Sequence, residues 1–194
     1  MEQDPKYWER QYQNEKVGWD IGYISTPLKT YFDQLQNKEL KILVPGAGNA
    51  YEVEYLYMKG FRQVYLLDFA RLPVHNFKER LPDFPVKNLI VQDFWKHEGQ
   101  YDLIVEQTFF SSIPRRLRNA YALKMHELLK RNGKLAGLLF NHEFGFDKPP
   151  FGGTEEEYIR LFKPFFRFIH FKTAYNSIKP RTGREIFILL EKKI

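Results

Sequence analysis

The sequence predicts an α/β protein: a three-layer sandwich on a mostly parallel, seven-stranded Rossmann-like sheet with an antiparallel C-terminal hairpin strand. Three observations point there. Apolar runs of strand length alternate with helically spaced segments from residue 41 to residue 162. The first run, Ile42-Leu43-Val44, meets Pro45 and a Gly-x-Gly turn, then passes into helical spacing. The last two runs, Phe165 to Tyr175 and Glu185 to Leu190, are separated only by Asn176 to Arg184. With no helix between them they must pair antiparallel.

Taken in order, Asp4 to Leu35 reads as two short helices around the loop Gly18-Trp19-Asp20-Ile21-Gly22. Tyr7, Trp8, Gln11 and Tyr12 keep helical spacing. Ser25-Thr26-Pro27 offers a capped start with proline in the first turn. After the Gly-x-Gly turn, Val53, Leu56 and Tyr57 share a helix face until Gly60 ends the run. Val64 to Asp68 is the second strand, and residues 70–81 form a crossover helix weakened by Pro73. Val86 to Val91 is the third strand and Tyr101 to Val105 the fourth. Pro114 starts a helix that Asn132-Gly133 stops, and Lys134 to Phe140 is the fifth strand. A Gly/Pro-rich loop spans 141–153, and the next helix has Thr154 as its cap with Glu157 completing a capping box. Five strand–helix alternations and a hairpin result. The expected organisation is a single domain over 1–194, with N-terminal lid helices in 1–36 and the α/β core in 41–194.

The turn carries the first functional signal. Gly46 and Gly48 let the backbone take positive φ and come within contact distance of a ligand. Twenty residues past Gly48, the second strand stops at Asp68, a carboxylate placed to accept both hydroxyls of a ribose. A pyrophosphate-binding turn wants G-x-G-x-x-G, and here Tyr51 holds the sixth position. The pattern suits a ribose-bearing ligand without a pyrophosphate, such as S-adenosylmethionine (SAM). Asp93-Phe94 at the end of the third strand suits an adenine, with the acid meeting the exocyclic amine and the ring packing on the base. A solvated strand end with Phe94 in the core fits equally. Trp8, Tyr12 and Trp19, four and seven apart, read either as core packing or as a lid over the carboxyl ends of the strands.

Composition narrows the classes. Apolar residues at 43% and charged residues at 28% are ordinary for a soluble globular protein. The absence of cysteine excludes disulfides, thiolate metal sites and a cysteine nucleophile, and it fits the cytoplasm. The opening Met-Glu-Gln-Asp-Pro lacks the apolar core of a signal peptide, and no stretch approaches the ~20 apolar residues of a membrane span. Five scattered histidines give no metal-ligand spacing. The net charge of +6 comes from bases interspersed with acids, which favours solvation or small anions over a nucleic-acid partner.

Together these residues resemble the thiopurine and thiol/halide methyltransferase group of class I SAM-dependent methyltransferases. The likeness rests on Trp8-(x3)-Tyr12-(x6)-Trp19-Asp20-x-Gly22, Thr26-Pro27 and Leu43-Val44-Pro45-Gly46-Ala47-Gly48. It continues through Tyr101-Asp102-Leu103-Ile104, Phe109-Phe110, Ile113-Pro114, Pro149-Pro150-Phe151 and Pro180-Arg181-Thr182-Gly183-Arg184-Glu185. The resemblance implies that SAM is the cofactor and is bound through Trp8, Tyr12, Trp19, Gly46, Asp68, Asp93, Phe94 and Gln107; Gly48 joins them from the turn itself. Tyr12 stands where thiol/halide members have Trp, and Gln107 where they have Tyr.

Methyl transfer from a sulfonium needs alignment and exclusion of water more than acid–base groups, so no catalytic residue is expected. A small-molecule acceptor follows from the resemblance: a thiol, thiopurine-like heterocycle, halide or chalcogen anion. The Asn/Asp-Pro-Pro-Tyr/Phe signature of amide- and adenine-nitrogen methylation is missing after the fourth strand, where Glu106-Gln107-Thr108-Phe109 stands. The proline-rich loop at 147–151 is expected to shape the acceptor pocket; Arg115, Arg116, His142 and Arg181 fall in segments expected near its open edge, where a cation would favour an anionic acceptor, and each reads alternatively as a solvated loop arginine or a packed histidine. RNA or protein methylation, and SAM binding without turnover, are the alternatives; an NAD-linked oxidoreductase ranks last. Oligomeric state leaves no readable trace.

Overall fold

The computed structural model describes residues 5–14, 16–145 and 147–194. The expected helix start at Asp4 lies outside the described residues. Seven strands form one sheet: β1 (Ile42–Pro45), β2 (Val64–Asp68), β3 (Leu89–Val91), β4 (Tyr101–Gln107), β5 (Leu129–Phe140), β6 (Phe166–Thr173) and β7 (Glu185–Lys192). Their spatial order is β3-β2-β1-β4-β5-β7-β6. β1 to β5 pair in parallel, and β7 runs antiparallel to both β5 and β6. The chain builds outward from β1 to β3 and then returns to place β4 on the other side of β1. That reversal opens a crevice at the carboxyl ends of β1 and β4.

The helices are α1 (Pro5–Gln13), α2 (Thr26–Phe32), α3 (Tyr51–Met58), α4 (Arg71–Arg80), α5 (Arg118–Leu128) and α6 (Glu155–Phe162). Two cores separate by strand alternation. Ile42, Val44, Val64, Leu66, Leu103 and Val105 pack with Leu28, Leu56 and Phe77 from α2, α3 and α4. Leu43, Leu67, Ile104 and Leu135 pack with Tyr121, Met125 and Phe162 from α5 and α6. Both faces of the sheet are covered, which is why the central strands are apolar throughout.

Several boundaries differ from the sequence reading. Val86–Asn88 is a 3-10 turn, so β3 starts at Leu89. Asn88 N–H bonds back to Pro85 C=O at 2.9 Å, a turn that an extended chain cannot make. Between β3 and β4 there is only a 3-10 turn, Phe94–Lys96, so α-helices follow β1, β2, β4 and β5 and the alternations number four among the described residues. The segment after Pro114 begins as a 3-10 turn, and α5 ends at Leu128, directly before β5. Asn132, at φ 62°, kinks the strand instead of ending the helix, and pairing with β4 slips between Tyr101 and Leu103. Pro73 lies in the first turn of α4, where its missing N–H has no intrahelical partner to lose, so the helix is whole. Half of the capping box forms: Glu157 N–H donates to Thr154 Oγ1 at 3.3 Å, while the Glu157 carboxylate pairs with Arg118 at 2.5 Å.

Candidate active site

A cavity of about 1210 Å³ opens over the carboxyl ends of the strands. It is lined by all nine residues singled out from the sequence: Trp8, Tyr12, Trp19, Gly46, Gly48, Asp68, Asp93, Phe94 and Gln107. The glycine turn and Asp68 form its floor. Gly46 and Gly48 both have positive φ, 58° and 53°. Asp68 Oδ2 accepts the Gly48 N–H and Oδ1 accepts the Ala70 N–H, each at 2.9 Å. The carboxylate at the end of β2 is therefore fastened to the turn that ends β1. It is 7% exposed, and burial pushes its pKa up to about 6, opposed by its backbone hydrogen bonds.

Two rings close on the turn. A Cβ on Gly46 would overlap the Phe109 ring, and one on Gly48 would overlap the Tyr12 hydroxyl. These side chains stand against the glycines without filling the cavity. Burial and the nearby Asp68 raise the Tyr12 pKa, which keeps its hydroxyl a neutral donor. Trp19 meets Trp8 edge-on at 5.3 Å and Tyr12 at 5.8 Å. The aromatic trio lines the cavity over the carboxyl ends of the strands.

The N-terminal segment is tied to the core at three points that local sequence did not reveal. Glu9 on α1 accepts the N–H groups of Arg71 and Leu72 at 3.0 and 3.1 Å, capping α4, whose own cap residue is Ala70. Asp20 accepts from Gly22 N–H at 2.6 Å and from the Asn49 amide beside the glycine turn. The buried Arg181 donates to Trp19 C=O at 2.7 Å and to Glu185 at 3.3 Å, joining the loop that holds Trp19 to β7.

The opposite wall carries the adenine candidates. Asp93 caps the turn after β3 by accepting Trp95 N–H at 3.0 Å. Phe94, 6% exposed, packs on Phe109 at 5.0 Å and also lines the cavity, so it serves the core and the site at once. Gln107 lies at the end of β4 with a buried Oε1 that has no partner among the described residues. Its neighbour Glu106 is fully buried and accepts from Phe110 N–H at 2.8 Å and from Tyr121 Oη; burial pushes its pKa up to about 7. That anchor sets the 3-10 turn Phe110–Ser112 and the Phe109 ring over Gly46. Glu52, at the start of α3, also lines the cavity, and burial lifts it to about 7.

Of the four residues expected at the open edge, Arg116, His142 and Arg181 line the cavity. Arg115 does not: Glu143, Glu157 (3.4 Å) and Gly152 C=O (3.1 Å) draw it away. Residues 147–151 also line the cavity.

A model of the family described as thiopurine S-methyltransferase (TPMT) matches residues 3–191. The chain belongs to this family. Membership makes it a SAM-dependent methyltransferase for small sulfur-type acceptors. Among its relatives, probable thiol methyltransferase 2 of Arabidopsis thaliana is 27% identical over 184 residues, covering 92% of this chain and 81% of the relative. Thiocyanate methyltransferase 1 of Brassica oleracea is 28% identical over 188 residues, with the same coverages. The fold is similar to that of Burkholderia thailandensis 1,6-didemethyltoxoflavin-N1-methyltransferase, solved with S-adenosylhomocysteine (SAH). The TM-score is 0.79 at 14% identity, covering 98% of this chain and 87% of that one. No helix among the described residues is long and apolar enough to cross a membrane.

Proposed function

We propose that Trp8, Tyr12, Trp19, Gly46, Gly48, Asp68, Asp93, Phe94 and Gln107 hold SAM, and that the acceptor is a small soft nucleophile: a thiol, thiopurine-like heterocycle, halide or chalcogen anion. The observation that carries this is the Asp68 carboxylate, fixed by Gly48 N–H at 2.9 Å and lining the cavity. A ribose offers two hydroxyl donors, and each Asp68 oxygen, already accepting one backbone N–H, keeps a further lone pair to receive one. The unpartnered Gln107 Oε1 suits a further donor such as the ammonium of an amino acid. The cavity, at about 1210 Å³, exceeds the roughly 300–1,000 Å³ usual for one small ligand, which leaves room for cofactor and acceptor together.

SAM supplies a methyl group on a positively charged sulfur. The protein's part is to hold both partners in line and keep water out; alignment is worth roughly 7–11 kcal/mol in intramolecular models. Trp8, Tyr12 and Trp19 exclude water from above, and Asp68 with the glycine turn fixes the floor. A soft anion needs no base. The whole chain acts as one catalytic unit in the cytoplasm, on a small molecule and without nucleic acid. Calorimetry with SAH tests the reading: micromolar binding is expected, and its absence in the intact protein would refute it. Binding without methylation across thiols, halides and chalcogen oxyanions would favour a SAM-binding module.

A further inference from the structure

His142 follows β5 and lines the cavity. Its ring lies nearly parallel to Phe140 (centroids 6.2 Å apart, 27°) and meets Phe144 edge-on at 4.0 Å. Nδ1 is sealed inside the protein with no hydrogen-bond partner among the described residues. The ring therefore addresses the cavity only through its other edge. Its backbone is held as well: His142 C=O accepts Gly153 N–H at 3.3 Å, and the buried Arg118 grips Phe151 C=O and Gly152 C=O at 3.2 and 2.8 Å.

A neutral imidazole carries one N–H and one lone pair. An orphaned buried N–H is the rarer and costlier of the two, so the lone pair belongs on the sealed Nδ1 and the proton on Nε2. To accept a proton at Nε2, the ring would first need the tautomer that buries an unpaired Nδ1–H. Charge in the cavity points the same way. Arg116, which has no side-chain partner among the described residues, lines the same space and favours an anion.

We propose that His142 is a neutral hydrogen-bond donor, through Nε2–H, to an anionic methyl acceptor, and not a general base. The proposal rests on the methyltransferase reading above. A thiol loses its proton to solvent before reaction. The acceptor's lone pair then forms the bond to the methyl carbon, the pair of the broken C–S bond stays on the leaving sulfur, and no proton passes to His142.

Iodide and an alkanethiol separate the roles, because iodide has no proton to remove. In His142→Phe, which keeps the aromatic stack, kcat/KM should fall about 10- to 100-fold for both acceptors, the worth of one hydrogen bond to a charged group. His142→Gln, which retains an N–H donor, should recover part of the loss. SAH affinity by calorimetry should be unchanged in both variants. In ¹⁵N-histidine NMR of the intact protein, the His142 signals, assigned by their loss in the variant, should show the neutral Nε2–H tautomer. A loss confined to the thiol and rescued above the thiol's pKa would make His142 a base and overturn the proposal. So would unchanged kcat/KM for both acceptors, or an Nδ1–H tautomer. Failure of the unaltered protein to bind SAH is a different result, which removes the cofactor reading and this inference with it.

Discussion

Replacing Asp68 by Asn tests the floor of the site with little change of shape. Each carboxylate oxygen accepts a backbone N–H at 2.9 Å, from Gly48 and from Ala70. Asn can serve one of these and turns an N–H donor toward the other, at a cost of about 1–3 kcal/mol for a buried unsatisfied group. Against that, burial lifts Asp68 from 3.8 to about 6, so holding it ionised at neutral pH costs about 3 kcal/mol, which Asn avoids. The two effects nearly cancel, and a thermal melt should move little. Ligand binding has no such offset. A charge-assisted hydrogen bond is worth about 1.5–3 kcal/mol, so SAH affinity measured at pH 8 should fall about 10- to 100-fold. Ribose donors favour the ionised carboxylate, so wild-type affinity should weaken as pH falls through about 6, and the Asn variant should lack that dependence. An Asn variant that binds SAH as tightly as wild type would refute the ribose reading, as would wild-type affinity that stays flat across that range.

Three further predictions follow from the same geometry. Glu9→Ala removes the cap on α4, typically worth about 1 kcal/mol; SAH should dissociate several-fold faster in stopped flow, with the core melt nearly unchanged, and an unaltered off-rate would show that the Glu9 contact does not hold α1 over the ligand. Gly48→Ala places a Cβ against the Tyr12 hydroxyl at a positive φ costing about 1–2 kcal/mol, so both the melting temperature and SAH affinity should fall, whereas retention of both would mean that the turn yields freely. The folded forms of Glu52 and Glu106, lifted from 4.5 to about 7, retain protons that the unfolded chain has lost. Stability should therefore fall as pH rises from about 4.5 to 7, and Glu106→Gln should flatten that slope in melts; a wild-type melting temperature that climbs across the window would contradict the burial argument.

Much of the architecture was legible because it is written in local periodicity. Ile42-Leu43-Val44 before Gly-x-Gly, and Val64 to Asp68 some twenty residues on, specify two strands and the turn that ends the first of them. The boundaries that moved are those where a tertiary partner outweighed propensity. Asn132-Gly133 looks like a helix stop, yet pairing of β5 with β4 draws the strand back to Leu129. Arg115 looks like a cation for the site until Glu143 and Glu157, 28 and 42 residues away, are brought beside it.

By itself, then, the sequence determined the alternating α/β order, the strand-end acid beside a glycine turn, and the residue types that a ribose-bearing cofactor needs. Those features depend on spacing within a few turns of chain. Only the folded molecule decided that α1 latches onto α4 through Glu9, that Arg181 ties Trp19 to β7, and that His142 presents one edge to the cavity while its Nδ1 is sealed. Each of these is a meeting of groups far apart in the chain or a burial imposed by packing. Hydrogen-bond geometry and desolvation act on distance in space, which no periodicity along the chain encodes.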